Sequence, residues 1–246
     1  MLRSVKELQG YAIRATDGEI GKVKEFYFDD QSWTVRYLVA DTGGWLTRRL
    51  VLIAPNALGK ADTVDEVLPV SLSREQVENS PSIYEDQPVS RQYEASYYDY
   101  YGWPYYWGRP YPLGPPGAYP TVAGLGMNVP PAQERADEVR QEEGGDPHLR
   151  STEDVIGHSI QARDGEIGHV GDFVVDDETW TIRHIVVDTR DWLPGKKVLV
   201  SPQAIEEMDW VQAYVRVKLQ RDDIENGPEY DRSALDDQEQ YTRLYG

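Results

Sequence analysis

The chain has 246 residues, a formal net charge of −18 and no cysteine. This charge repels phosphate backbones, so we expect no nucleic-acid partner. The lack of cysteine excludes disulfides and thiolate metal sites.

From the N-terminal segment we expect no export signal. Residues 1–7 lack the apolar stretch of a signal peptide, and the sequence contains no run of about 18 apolar residues. We therefore expect a cytoplasmic protein without a transmembrane segment.

The sequence repeats itself at an offset of 147 residues. Residues 10–81 align with residues 157–228 without a gap, and 32 of those 72 positions are identical. Units of this size bury only about 60% of their unfolded surface, so each gains from packing on a neighbour. The repeat predicts two related units, and it allows a functional residue proposed in one copy to be checked in the other.

Short strands and tight turns are predicted in the first unit, which we assign to residues 1–84. Asp17-Gly18 is typical of a tight turn, because glycine accepts a positive φ. Residues 33–40 alternate with a period of two and predict a strand that is buried on both faces. Ser73 and Gln76 have the spacing of a capping box, which predicts a helix of one or two turns at the end of the unit.

Residues 85–149 differ from the units in composition. A tyrosine- and tryptophan-rich run over 97–107 is followed by many prolines and glycines and then by an acidic segment. This composition argues against a packed domain. We predict a Tyr/Pro/Gly-rich and then acidic linker, mostly irregular over 104–146.

The second unit, assigned to residues 150–230, repeats the pattern of the first. Its alternation over Val211–Leu219 predicts a strand with one exposed face. Asn226-Gly227-Pro228 predicts the end of its closing helix.

A tyrosine-containing arm is predicted after each unit, the second one over residues 231–246. Tyr93 and Tyr97, like Tyr241 and Tyr245, are four residues apart, which places both rings on one helical face. Such an arm can bind a partner or a second copy of the chain, because tyrosine provides rigid contact area at a low entropic cost. The alternative is that it packs on its own chain.

Five short motifs follow one another in the same order in both copies. In the first copy they are Asp17-Gly18-Glu19-Ile20-Gly21, Asp29-Asp30-Gln31-Ser32-Trp33, Asp41-Thr42, Trp45-Leu46 and Glu78-Asn79-Ser80-Pro81. Over about residues 1–84 and 150–230 this order resembles the PRC-barrel family. The family is named after the cytoplasmic part of the photosynthetic reaction-centre H subunit and includes the C-terminal domain of a ribosome maturation factor. This chain is more similar to its stand-alone bacterial members.

The resemblance implies an all-β fold with two small PRC-type β-barrels, each closed by a short helix and joined by the linker. It also implies a protein-interaction or assembly module without enzymatic activity. Family analogy offers one alternative, a barrel that associates with a membrane or a photosynthetic complex.

A second alternative is an aspartic hydrolase that uses Asp41 and Asp188. Asp41-Thr42-Gly43 follows an apolar strand, as the catalytic triplet of aspartic proteases does, and two such carboxylates share a proton. The internal control speaks against this activity, because the second copy has Arg190 in place of Gly43.

Other candidate chemistry has little support in the two copies. Asp29-Asp30 and Asp176-Asp177 offer too few oxygens for a hard cation. The histidines are not repeated, and no phosphate-binding lysine follows Gly43-Gly44. We expect no catalytic residue, cofactor, metal or small-molecule substrate.

The best candidate contact surface lies in the loop that follows the strand predicted over residues 33–40 and in its equivalent in the second unit, together with the tyrosine arms. A tryptophan precedes basic residues in both loops. We expect protein binding or self-association through Trp45, Arg48, Arg49, Trp192, Lys196, Lys197, Tyr93, Tyr97, Tyr241 and Tyr245.

Overall fold

The computed structural model describes residues 1–44, 46, 49–81, 98, 100–102, 148–189, 196–227 and 229–235. Most of the predicted linker therefore lies outside the described residues. The regular elements are mainly strands, with a few helices of four or five residues. An all-β class is thus confirmed.

The first repeat contains six strands and two short α-helices. They are β1 (Leu2–Ser4), α1 (Val5–Leu8), β2 (Ala12–Ala15), β3 (Gly18–Asp29), β4 (Thr34–Asp41), β5 (Leu50–Ile53), β6 (Val67–Pro69) and α2 (Arg74–Glu78), with a 3₁₀ turn at Pro55–Ala57.

The second repeat has the same elements in the same order, and one strand more. They are β7 (Leu149–Ser151), α3 (Thr152–Val155), β8 (Ser159–Ala162), β9 (Gly165–Asp176), β10 (Thr181–Asp188), β11 (Lys197–Val200), β12 (Ile205–Asp209), β13 (Tyr214–Val217) and α4 (Arg221–Glu225), with 3₁₀ turns at Pro202–Ala204 and Arg232–Leu235.

The helix predicted from the Ser73–Gln76 spacing is confirmed. The Ser73 hydroxyl accepts a hydrogen bond from the Gln76 amide at 3.2 Å, and Gln76 Oε1 accepts one from the Ser73 amide at 2.9 Å. Both groups of the capping box are therefore satisfied, and the helix begins at Arg74. In the second repeat α4 ends at Glu225, before the predicted stop at Asn226.

Burial on both faces of the fourth strand is also confirmed. Every residue from Tyr37 to Ala40 is completely buried. Strand β4 lies between β3 and β5, so its backbone is paired on both edges as well.

The strand predicted over Val211–Leu219 is shorter than its alternation indicated. Strand β13 begins only at Tyr214, whereas Val211 is 95% exposed and Ala213 has a φ of 53°. The Asp209 carboxylate accepts hydrogen bonds from the Val211 and Gln212 amides and closes a tight turn there. Local turn chemistry therefore overrides the alternating pattern.

The described strands form one sheet that includes both repeats. Its order is β12-β13-β8-β9-β10-β4-β3-β2-β6, with β5 on β4, β11 on β10, β1 on β9 and β7 on β3. Two closed barrels are not confirmed, because within the described residues this sheet is open. The path of paired strands ends at β12 and at β6, which do not pair with each other, and the first strand of each repeat pairs with the other repeat.

The hydrophobic core is likewise shared. Buried side chains from both repeats, including Phe26, Phe28, Phe173 and Trp180, belong to one contiguous cluster. Among the residues described, none of the helices has the length and hydropathy that a membrane crossing requires.

Candidate functional site

The two repeats meet at equivalent positions of their fourth strands. Strands β4 and β10 are antiparallel and pair at Thr34 and Thr181, which are related by the 147-residue offset. The Val35 amide donates to the Trp180 carbonyl at 2.8 Å, and the Ile182 amide donates to the Trp33 carbonyl at 2.7 Å. A local twofold pseudosymmetry therefore relates the repeats, and we call this contact region the seam.

Strand exchange extends the seam on both sides. Strand β1 pairs with β9, with Leu2 opposite Asp176, and β7 pairs with β3, with Leu149 opposite Asp29. The exchanged strands have identical sequences, Leu-Arg-Ser. These strands precede the aligned range that starts at residue 10, and the same 147-residue offset relates residues 2–4 to residues 149–151.

A serine and a buried acid connect each exchanged strand to the other repeat. Ser4 donates to the carboxylate of Asp172, and Ser151 donates to the carboxylate of Glu25. The Lys6 amide also donates to Asp172 at 3.0 Å. Burial raises the pKa of both acids, although these hydrogen bonds partly offset it.

The second acid of each Asp-Asp pair forms an ion pair across the seam. Asp177 is 3% exposed and lies 3.4 Å from Nε of Arg3. Asp30 lies 2.8 Å from Nε of Arg150 and 2.9 Å from Nδ1 of His148. These acids therefore hold the exchanged strands in place.

The first acid of each pair binds an arginine of its own repeat. Asp29 accepts from Arg36 at 3.1 Å, and Asp176 accepts from Arg183 at 3.1 Å. Burial alone would raise the pKa of Asp29, but hydrogen bonds from Ser32 and Arg36 lower it below its ordinary value. All four acids thus have structural partners.

Aromatic rings fill the interior of the seam. Phe28 stacks on Trp33 with the centroids 5.5 Å apart, and Phe26 stacks on Trp180 of the other repeat at 5.6 Å. Phe28 also contacts Phe173 across the seam at 5.5 Å. Trp180 is 2% exposed, whereas Trp33 is only partly buried. The first tryptophan of each copy therefore packs on the core, and it is buried most fully in the second repeat.

A cavity of about 770 Å³ opens beside Trp33, on the β10 side of the seam. Ile182, Ile205 and Leu235 contribute apolar wall, and Asp176, Arg183 and His184 contribute polar wall. Its lining therefore combines apolar and polar side chains.

Two basic residues of the predicted contact loops have intramolecular partners. Arg49 donates to the Glu78 carbonyl at 2.9 Å, and Lys196 donates to the Glu225 carbonyl. Each cation therefore caps the C-terminus of the short helix in its own repeat, where the helix dipole favours positive charge. Lys197 is exposed, in register with Asp188.

The other residues of the predicted contact surface lie outside the described residues. They are Trp45, Arg48, Trp192, Tyr93, Tyr97, Tyr241 and Tyr245. A contact role for these loops and tyrosine pairs stays a prediction.

The structure does not bring Asp41 and Asp188 together. Strands β4 and β10 pair at Thr34 and Thr181 and run in opposite directions from there. Each aspartate lies at the far end of its strand, roughly 23 Å from the joint along the strand at about 3.3 Å per residue. Carboxylates that share a proton are about 3 Å apart.

The first repeat matches a known protein family. Residues 2–76 match the family described as the PRC-barrel domain. Among curated proteins no match to the chain is found. The matched segment runs from the exchanged strand β1 into helix α2, so it spans most of the first repeat.

Proposed function

We propose that this chain is a tandem of two PRC-barrel-like units that acts as an assembly module without enzymatic activity. The observation that carries the proposal is the seam, in which each repeat donates a strand to the other. The second unit is assigned by its 32 identities in 72 positions to the first and by its equivalent order of elements.

The use of the charged side chains favours a structural role. The Asp-Asp pairs bind arginines, the buried acids bind serines, and the strand-end acids Asp41 and Asp188 are kept apart. A hydrolase would need its two acids to converge. We therefore rank the aspartic hydrolase below the assembly role.

The proposed partner is a protein or a second copy of the chain, in the cytoplasm. The net charge of −18 disfavours nucleic acid. Association with a membrane or a photosynthetic complex stays an alternative that rests on family analogy. Cell fractionation distinguishes the two roles. A membrane-bound pool of the protein would favour this alternative over the assembly role in the cytoplasm.

The experiment combines native pull-down with size-exclusion chromatography and light scattering. The full chain should form a complex or an oligomer, and the pair Trp45→Ala and Trp192→Ala should weaken it. Val211→Ala is the matched control, because it removes an exposed apolar side chain outside the predicted loops. A strictly monomeric chain that captures no partner would contradict the proposal.

Catalysis is tested separately. The chain and its Asp41→Asn variant are incubated with an unfolded protein substrate across acidic pH. Negligible and equal cleavage by both is the expected result. Cleavage that is lost in the variant would favour the hydrolase.

A further inference from the structure

Two faces of the sheet flank the seam and are related by the 147-residue offset, but their side chains pack differently. Tyr37 of β4 is completely buried, and its equivalent in β10 is His184, which lines the cavity. An imidazole occupies less volume than a phenol ring. The second repeat therefore has space where the first repeat has a packed tyrosine.

In the first repeat this face is covered by an aromatic residue from the segment that follows the unit. The ring of Tyr98 lies edge-on to Tyr37 with the centroids 6.5 Å apart, and Tyr98 is only 8% exposed. The Tyr100 hydroxyl donates to the Gln76 carbonyl at 3.0 Å and holds this segment against helix α2. An arm tyrosine thus completes the core of the first repeat.

In the second repeat the corresponding arm leads directly to the cavity. The Tyr230 amide donates to the Lys197 carbonyl at 2.7 Å, so the arm starts along the edge of β11. Arg232 then pairs with Glu7 at 2.9 Å. Leu235 is 4% exposed, packs on Val174 and Val186, and forms part of the cavity wall. The described arm therefore ends at the entrance of the cavity.

We propose that the cavity is a binding site for a tyrosine side chain and that residues 236–246 of the same chain occupy it through Tyr245. The 147-residue offset places Tyr245 at the position of Tyr98, the residue that covers the equivalent face of the first repeat. Tyr245 lies ten positions after Leu235, and at up to about 3.3 Å per residue this length of chain reaches across the cavity easily.

The chemistry of the walls suits a phenol. Trp33 and Ile182 offer apolar surface to the ring, and Arg183 and Ser201 offer hydrogen-bonding groups to the hydroxyl. Burial, helped by the neighbouring Arg183, lowers the pKa of His184 below its ordinary value. A neutral imidazole favours an uncharged aromatic neighbour. This inference concerns the chain's own tail and does not depend on the proposed assembly role.

Disulfide trapping tests the site, because the chain has no cysteine of its own. In the full chain Gly246→Cys, which leaves Tyr245 in place, is combined with Gln203→Cys, and Gln203 is an exposed residue on the cavity wall. The control pair combines Gly246→Cys with Val211→Cys, and Val211 is 95% exposed and lies outside the wall. After mild oxidation, non-reducing gels and intact mass separate links within a chain from links between chains.

We expect the cavity pair to form a link within the chain about tenfold faster than the control pair, the factor that burial of one aromatic side chain supplies. Equal rates for the two pairs would overturn the proposal. A link between two chains would also overturn it, because the occupant would then be the tail of a second copy.

Thiol protection gives an independent readout in chains with a single cysteine. Gln203→Cys should react slowly with a soluble disulfide reagent, and adding Tyr245→Ala should raise its rate about tenfold because the cavity is vacated. The reaction of Val211→Cys should not change with Tyr245→Ala. If Tyr245→Ala leaves the Gln203→Cys rate unchanged, the tail does not cover the cavity.

Discussion

Gly21 and its equivalent Gly168 lie where two backbones come closest. Gly21 has a φ of 145°, and a Cβ atom built there would be 2.1 Å from the Asp41 carbonyl oxygen. Gly168 has a φ of 132° and the same 2.1 Å approach to the Asp188 carbonyl. Glycine is therefore required at this position of the repeated motif for two reasons. The backbone has a positive φ, and the neighbouring strand leaves no space for a Cβ atom.

Gly21→Ala should destabilise the protein by more than about 3 kcal/mol, because the added methyl group overlaps with backbone that cannot move aside. Urea unfolding measures the loss. Gly44→Ala is the control, since a Cβ atom there meets nothing within 4 Å. Similar unfolding midpoints for the two variants would contradict this account of the glycine.

The buried acid at Asp172 makes stability depend on pH. A carboxyl whose pKa is higher in the folded state stabilises the fold fully below its unfolded pKa, about 3.9, and this contribution is lost as the pH rises through the folded value. Burial raises the pKa of Asp172 in this way.

Asp172→Asn should remove that dependence, because the amide oxygen still accepts hydrogen bonds from Ser4 and Lys6 without a charge. The unfolding free energy of the variant relative to the parent should therefore increase as the pH rises above about 4, in urea titrations at each pH. A flat difference for Asp172→Asn would show that its carboxyl titrates as an exposed one does.

Residue patterns predicted the local features of the fold but not the long-range partners of the acids. The Asp-Gly turns, the Ser73 capping box and the buried fourth strand follow from local signals, and all are present in the structure. The partners of Asp30 and Asp177 could not be predicted, since each lies more than 100 residues away in the other repeat.

At the scale of elements, the exchanged strands β1 and β7 depend on ion pairs that are equivalent in position but unequal in burial. The side chains of Arg3 and Asp177 are 7% and 1% exposed. Arg150 is 23% exposed and also stacks over the Trp210 ring at 4.0 Å. Arg150 therefore keeps a favourable contact and some water if its acid is removed, whereas Arg3 keeps less water.

Asp177→Ala should cost about 3–5 kcal/mol, the usual penalty for leaving a buried charge without its partner. Asp30→Ala should cost at least about 1 kcal/mol less, because Arg150 stays stacked and partly hydrated. Chemical unfolding of the two variants in parallel gives both values. Equal losses would mean that burial does not set the strength of these pairs.

Three-residue strands such as β1 and β7 have no periodicity that identifies them from sequence. A strand is normally predicted from four or more alternating residues, and Leu-Arg-Ser is too short. The closed barrels were predicted from family resemblance, but the described strands form one open sheet in which β1 and β7 pair with the other repeat. Exchange between repeats is a tertiary event that no local pattern reports.

At the scale of the whole molecule, the two repeats should unfold as one cooperative unit. They share a sheet and a contiguous core, so neither repeat keeps its edge pairs when the other unfolds.

Scanning calorimetry should therefore give a single unfolding transition. Gly21→Ala in the first repeat should also lower the hydrogen-exchange protection of β9 and β10 in the second repeat. Gly168→Ala provides the reciprocal variant. Two separate transitions, or an effect confined to the substituted repeat, would indicate independent units.

The pseudosymmetric seam also has a genetic consequence. In a dimer of identical chains, one substitution would alter both copies of every contact across the axis. Here each copy has its own codons, so one half of the seam can change while the other half is kept. The buried acids already differ, since Glu25 in the first repeat corresponds to Asp172 in the second. The residues that contact Asp177 and Asp30 also differ, since Met1 corresponds to His148, while the Leu-Arg-Ser strands are identical. Joining the two halves in one polypeptide thus lets them diverge into distinct surfaces.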